Sequence, residues 1–170
     1  DDFTPSPIIF TNEEFSVITP TGWDAVTPVK FDSNSPIYLA LGPTEDGVTP
    51  HIYINSRQLG GDKFNDFIAT RADTFHRLHE EGALQLLHEE LQDFKGGHAY
   101  TVTAKQSVDN DLVGNEPYNA QLKQYLFASS TTAYGITYVN SESNFNDHLD
   151  LLNEFRFSFL AEGEIMQSLS

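Results

Sequence analysis

Short segments in which apolar and polar residues alternate one for one run through most of the chain, and a period of two marks a half-buried β-strand. Phe15 and Val17 share one side of "FSVIT", and Ile37, Leu39 and Leu41 share one side of "IYLAL". Ile52 and Ile54 do the same in "HIYIN", as do Tyr100, Val102 and Ala104 in "HAYTVTAK". Two further segments, "QLKQYLFA" and "AYGITYV", flank the polar tip "SSTT" and predict a hairpin whose face-covering positions are Leu122, Leu126, Tyr134, Ile136 and Tyr138.

Two stretches change period. From Lys63 to Glu81, Phe64, Phe67, Ile68, Ala72, Phe75 and Leu78 recur at spacings of three and four, which predicts the longest helix, with Asp62 as N-cap and Gly82 as its left-handed C-terminal residue. From Asn144 to about Phe155, Phe145, Leu149, Leu152 and Phe155 repeat that spacing behind an Asn cap, before "RFSFL" turns strand-like. The first "LHEE", at 78 to 81, ends the long helix, and the second, at 87 to 90, enters a strand. Residues 41 to 50 and 107 to 117 are turn-rich connections. Strands joined by short turns pair antiparallel, because a parallel pair needs a long crossover. The expected fold class is therefore α+β, an antiparallel β-sheet flanked by α-helices, with residues 1–170 forming a single domain.

Composition narrows the function. The chain is 39% hydrophobic and 20% charged, in the range of folded globular proteins, and it contains no cysteine for disulfides, thiolate metal sites or nucleophilic catalysis. Nine Lys and Arg against 25 Asp and Glu leave a net charge of −16, which disfavours nucleic acid and anionic bilayers as partners. No apolar run reaches the roughly 20 residues needed to span a membrane. The opening "DDFTPSP" lacks methionine, which fits either an exported chain whose signal peptide has been removed, the more economical reading, or a chain trimmed for expression, and it leaves room for an N-terminal anchor ahead of Asp1 as the one route to a membrane.

No cofactor motif and no catalytic motif is present: G-x-S-x-G, G-x-G-x-x-G, the Walker loop and S-x-x-K are all missing. His76 and His79 lie three apart on one helix face beside Glu80, a partial zinc ligand set, yet the HExxH pattern fails at Ala83, and solvated histidines on an acidic helix end are the plainer reading. "DNDLVG", at 109 to 114, begins like a calcium loop but puts Val113 at a ligand position, so it reads as an ordinary loop. Trp23, the only tryptophan, follows the turn Pro20-Thr21-Gly22. It either caps the open end of the sheet or lines a groove with Tyr38, Tyr53 and Tyr125 that would grip an apolar peptide.

Five stretches taken in order, "FSVITPTGW", "INSRQL" with "DKFNDFIATRADTF", "GGHAYTVTAKQS", "KQYLFASSTTAYGITYV" and "NFNDHLDLLNEFRFSF", resemble the PsbP/Mog/DcrB-like superfamily from about Phe15 to Phe159. The resemblance implies an α/β/α sandwich and a non-enzymatic role. PsbP-like proteins are exported, some of them lipid-anchored, and support photosystem II or other membrane complexes. Mog-type members bind a nuclear GTPase, and DcrB-like members include envelope lipoproteins and cytosolic adaptors for type VI effectors. The superfamily has no common active site, so the resemblance brings no catalytic residue and no cofactor. It implies an accessory protein of the cell envelope, periplasm or thylakoid lumen whose partner is a protein, either a membrane complex or a secreted protein. The alternatives are a cytoplasmic adaptor for a secreted effector and, lower, a metal-dependent hydrolase.

Overall fold

The computed structural model of the chain describes residues 8–28, 32, 34–161 and 166–169. In chain order its elements begin with β1 (Ile8–Thr11), β2 (Phe15–Thr19), β3 (Asp24–Val26), β4 (Tyr38–Leu41), β5 (His51–Gln58) and helix α1 (Phe64–Glu80). They continue with β6 (Gln85–Phe94), β7 (Gly97–Val108), β8 (Tyr118–Ala128), β9 (Thr132–Ser141), a 3-10 turn (Phe145–His148), helix α2 (Leu149–Ser158) and β10 (Leu160–Ala161). Seven strands form one antiparallel sheet in the order β3-β4-β5-β9-β8-β7-β6, and the other three form a small sheet in the order β1-β2-β10. This is an α+β fold, as the periodicities predict.

Both faces of the large sheet are covered. On one face Ile52, Ile54, Phe127, Tyr134, Ile136 and Tyr138 pack under α2 and the small sheet, which supply Leu152, Phe155, Phe15 and Val17. On the other, Tyr100, Val102, Leu126 and Ala133 pack under α1 through Phe64 and Ile68. The register makes this division: Ile54 pairs with Ile136, and Ile136 with Tyr125, so the three side chains stand in one row on one face. Phe159 gathers the first core, with ring centroids 5.1 Å from Phe15, 4.9 Å from Phe127 and 5.0 Å from Tyr134. Each such pair adds about 0.5–1.5 kcal/mol beyond its buried area.

Central β9 is buried along its whole length and its sequence "TAYGITYVNS" carries no charge, as a strand covered on both sides requires. The same two-sided burial corrects the phase read for residues 37–41. Tyr38, Leu39 and Ala40 are all buried, and the α2-side core takes Tyr38 and Ala40, not Leu39 and Leu41, because alternation carries no phase where neither face meets water.

The helix ends differ from expectation in detail. Asp62 makes no capping bond to α1 and instead faces Arg57 at 3.8 Å, while Gly82, at φ 78°, closes the helix through its N–H to the His79 carbonyl at 3.1 Å. The second helical stretch starts as the 3-10 turn, and Asn144 caps neither it nor α2. Helix α2 continues through Ser158, so of "RFSFL" only Leu160 reaches a strand, where it pairs with Ser16.

Residues 166–169 return to the sheet. Met166 enters the α2-side core, the Gln167 N–H donates to the Ala128 carbonyl at 2.7 Å, and the His98 N–H donates to the Gln167 carbonyl at 2.9 Å. They cross β7 at Gly97, where a Cβ would overlap the backbone oxygens of Met166 and Gln167.

Candidate functional site

The turn before Trp23 explains where its ring goes. The Trp23 N–H donates to the Pro20 carbonyl at 3.0 Å and Gly22 takes φ 85°, a left-handed value that glycine adopts without strain. That turn aims the indole into the core, where it is 3% exposed and meets the His148 ring edge-on at 5.4 Å. The backbone of Gly42 closes over it so tightly that a Cβ there would lie 2.7 Å from the indole. Trp23 caps the end of the sheet.

Tyr38 is buried in the same core, its hydroxyl 2.9 Å from Thr19 Oγ1 and its ring stacked on Phe155. Tyr125 is buried under the Arg156 guanidinium, 4.8 Å away. Tyr53 stands on the other face of β5, beside Thr137 and Arg71. The four rings therefore share no groove. Burial pushes the hydroxyl pKa values of all three tyrosines up, so they stay neutral.

His76, His79 and Glu80 do not converge either. His76 Nε2 meets Glu89 Oε1 of β6 at 2.6 Å, and the Tyr100 hydroxyl donates to Glu89 Oε2. His79 Nδ1 accepts the Leu86 N–H at 3.0 Å. Among the described residues no group of three or more His, Asp and Glu side chains is placed to hold a metal ion. The two histidines fasten α1 to the edge strand of the sheet.

That fastening depends on pH. The hydrogen bond and charge of Glu89 raise the pKa of His76 above 6.5; burial pushes Glu89 up, but bonds from Tyr100 and His76 outweigh it and hold Glu89 below 4.5. A raised histidine contributes stability fully below its unfolded pKa and loses it as pH rises through the folded value. A depressed carboxylate contributes above its unfolded pKa and loses it as pH falls through the folded one. The tie is thus strongest between 4.5 and 6.5, the two groups' ordinary values. Urea midpoints of the wild type and His76→Gln will differ most near pH 5.5 and draw together by about pH 8.5. An equal gap at both values would contradict the tie.

A preformed surface lies where the two long loops meet. Asn115 accepts the Thr49 N–H at 2.8 Å and donates from Nδ2 to the Thr49 carbonyl at 3.1 Å, which joins residues 107–117 to residues 41–50. Asp111 holds Asn115 in place by accepting its N–H at 2.9 Å, its Nδ2 at 2.8 Å and the Tyr118 hydroxyl at 2.9 Å. Burial raises the Asp111 pKa, but these bonds outweigh it and the net shift is downward. The carboxylate that suggested a calcium loop is engaged by protein donors. Asp46 accepts from Asn144 at 3.0 Å and Glu45 faces His148 at 3.5 Å, so the 41–50 loop is also tied to the 3-10 turn. The arrangement is a loop platform fixed at both ends, suited to recognition.

The architecture matches solved structures along nearly the whole chain. Cyanobacterial PsbP (CyanoP) from Synechocystis sp. PCC 6803 superposes with a TM-score of 0.56 at 16% identity, covering 92% of each chain. LpqN, described as involved in cell envelope biogenesis of Mycobacterium tuberculosis, superposes with a TM-score of 0.65 at 12% identity, covering 92% of this chain and 89% of that one. The chain has the PsbP-like fold. No family model and no curated protein matches the sequence. At these identities the PsbP-like fold is shared while side chains are not, so its functional residues have to be read from this chain.

The sequence marks the two loops as loops through their Gly, Pro, Asp and Asn content. Their union at Asn115 and Thr49 spans 66 positions and leaves no local signal.

Proposed function

We propose that this chain is a non-catalytic, exported accessory protein of the cell envelope or thylakoid lumen that supports a membrane protein complex by binding a protein partner. The observation that carries the reading is the full-length likeness of fold to LpqN, whose description places it in cell envelope biogenesis. The loop platform around Asn115 supports it as a rigid contact surface, and the net charge of −16 favours a basic patch on the partner. No helix among the described residues is long and apolar enough to cross a membrane, which agrees with contact through a partner.

A second reading, an adaptor that shields an apolar segment of a secreted protein, is favoured by one feature. Ile9 and Ile18 pair across the small sheet and, with Leu160, leave an apolar patch exposed on its outer side.

Crosslinked affinity capture of the tagged full-length precursor from its native cells, with membrane and cytosolic fractions analysed separately, distinguishes the two. Recovery of a processed form with an integral membrane complex supports the accessory role. An unprocessed form recovered with a cytosolic secretion substrate overturns it and makes the protein an adaptor.

A further inference from the structure

On the face of the large sheet that α1 covers, one row runs Asn55–Gly135–Leu126 across β5, β9 and β8, and the next runs Tyr53–Thr137–Gln124. Gly135 has no side chain, and Leu126 leans over it, 3.2 Å from where a Cβ would stand, which leaves a shallow gap in the middle of the first row. Phe67 and Arg71, one turn apart on α1, border that gap, and Arg57, Asn34, Leu126 and Ala133 complete a cavity of about 230 Å³. It is smaller than the roughly 300–1,000 Å³ of ordinary ligand clefts, so it suits a compact molecule.

Its chemistry is two-sided. Phe67, Leu126, Ala133 and the bare Gly135 backbone give an apolar floor and wall. Arg71 stands where the apolar stripe of α1 would continue from Phe67 to Phe75, and among the described residues no carboxylate lies within ion-pair distance of it. Arg57 is shared with Asp62 at 3.8 Å, and Asp62 and Asp66 line the cleft on the outer side of Phe67. In a chain with nine cations and 25 anions, two guanidinium groups at one gap are a concentration of positive charge. On the inner wall Gln124 Nε2 donates to Thr137 Oγ1 at 2.9 Å, while Gln124 Oε1 is buried without a hydrogen-bond partner. A buried amide atom left unpaired costs stability unless something satisfies it.

We propose that this gap is a binding site for a small hydroxy-carboxylate, with its carboxylate on Arg71, its apolar part against Phe67 and Gly135, and its hydroxyl on the Gln124 amide. Arg71 presents a planar fork of donors that matches a carboxylate. A hydroxyl donates, so it satisfies Gln124 Oε1, the amide atom that lacks a partner. Nothing in this site rests on the protein-partner reading: the gap lies under α1, away from the loop platform, and failure of either leaves the other standing.

The test is titration of the ¹⁵N-labelled protein with lactate, mandelate and 4-hydroxybenzoate, and with the neutral amide of each, followed by amide and Gln124 side-chain shifts. The expected result is that at least one acid gives saturable shifts at Phe67, Arg71, Gly135 and the Gln124 amide, with its own amide analogue about tenfold weaker or more. Arg71→Gln, at an exposed position, weakens that acid by a similar factor without changing the melting temperature. Gln124→Leu removes the preference for the hydroxy acid over its deoxy counterpart. Absence of saturable shifts at these positions with all three acids overturns the proposal. So does equal binding of acid and amide, or binding indifferent to Arg71→Gln.

Discussion

Trp23→Ala is expected to lower the folding free energy by about 3 to 5 kcal/mol, as large aromatic truncations in cores do. At this chain length that corresponds to a fall of roughly 6 to 20 °C in Tm, measurable by calorimetry. The size follows from the setting: the indole is 3% exposed, packed edge-on against His148 and closed over by the Gly42 backbone, so little around it can collapse into the space left behind. Trp23→Phe would keep part of the volume and lose less. An unchanged melting curve together with lost partner binding would overturn the capping role and put Trp23 in a contact surface.

The second large effect is expected at Gly97. Gly97→Ala places a methyl group against the backbone oxygens of Met166 and Gln167, which cannot rotate aside as a flexible side chain would. The returning segment must lift, taking Met166 out of the core and stretching the bonds from Gln167 to Ala128 and from His98 to Gln167. Overpacking of this kind costs about 1 to 3 kcal/mol or more. Hydrogen exchange will show the amides of His98 and Gln167 opening faster in the variant, while the β8 and β9 amides keep their protection. Gly61→Ala is the control, because a Cβ at Gly61 meets nothing within 4 Å. Equal exchange in both variants would mean that the segment does not press on Gly97.

Periodicity reports whether a side chain faces water, and this decides which parts of the fold the sequence discloses. Helix α1 has one wet face, so Phe64, Phe67, Ile68 and Phe75 announce it at their correct spacing. The β8–β9 hairpin is announced by its polar tip. Where both faces are dry, at Tyr38 to Ala40, the pattern loses its phase. The start of α2 is misread for another reason: Asn144 has a cap-forming side chain, but its Nδ2 is drawn to Asp46, 98 positions away.

The candidate sites are less legible in the sequence than the fold, because their partners lie far apart along the chain. His76 and His79 are near each other in sequence, but each finds its partner on β6, at Glu89 and Leu86. Trp23, Tyr38, Tyr53 and Tyr125 share only residue type, and strand pairing sends Tyr53 to the opposite face. The sequence does carry one signal of the gap: Arg71 interrupts an otherwise apolar helix stripe, midway between Phe67 and Phe75.

The small sheet has a consequence for the order in which the chain is made. Strand β2 holds the α2-side core through Phe15 and Val17, yet its partner β10 and the Ser158 hydroxyl that accepts the Ile18 N–H lie about 140 residues further on. At a ribosomal speed of about 5–20 residues per second, β2 waits roughly 7 to 28 s before that partner emerges. During that interval β2 has only β1 to pair with, and its other edge, beside Phe15 and Val17, stays open. The first core therefore cannot close until β10 has emerged, and every earlier intermediate carries this edge of β2 open.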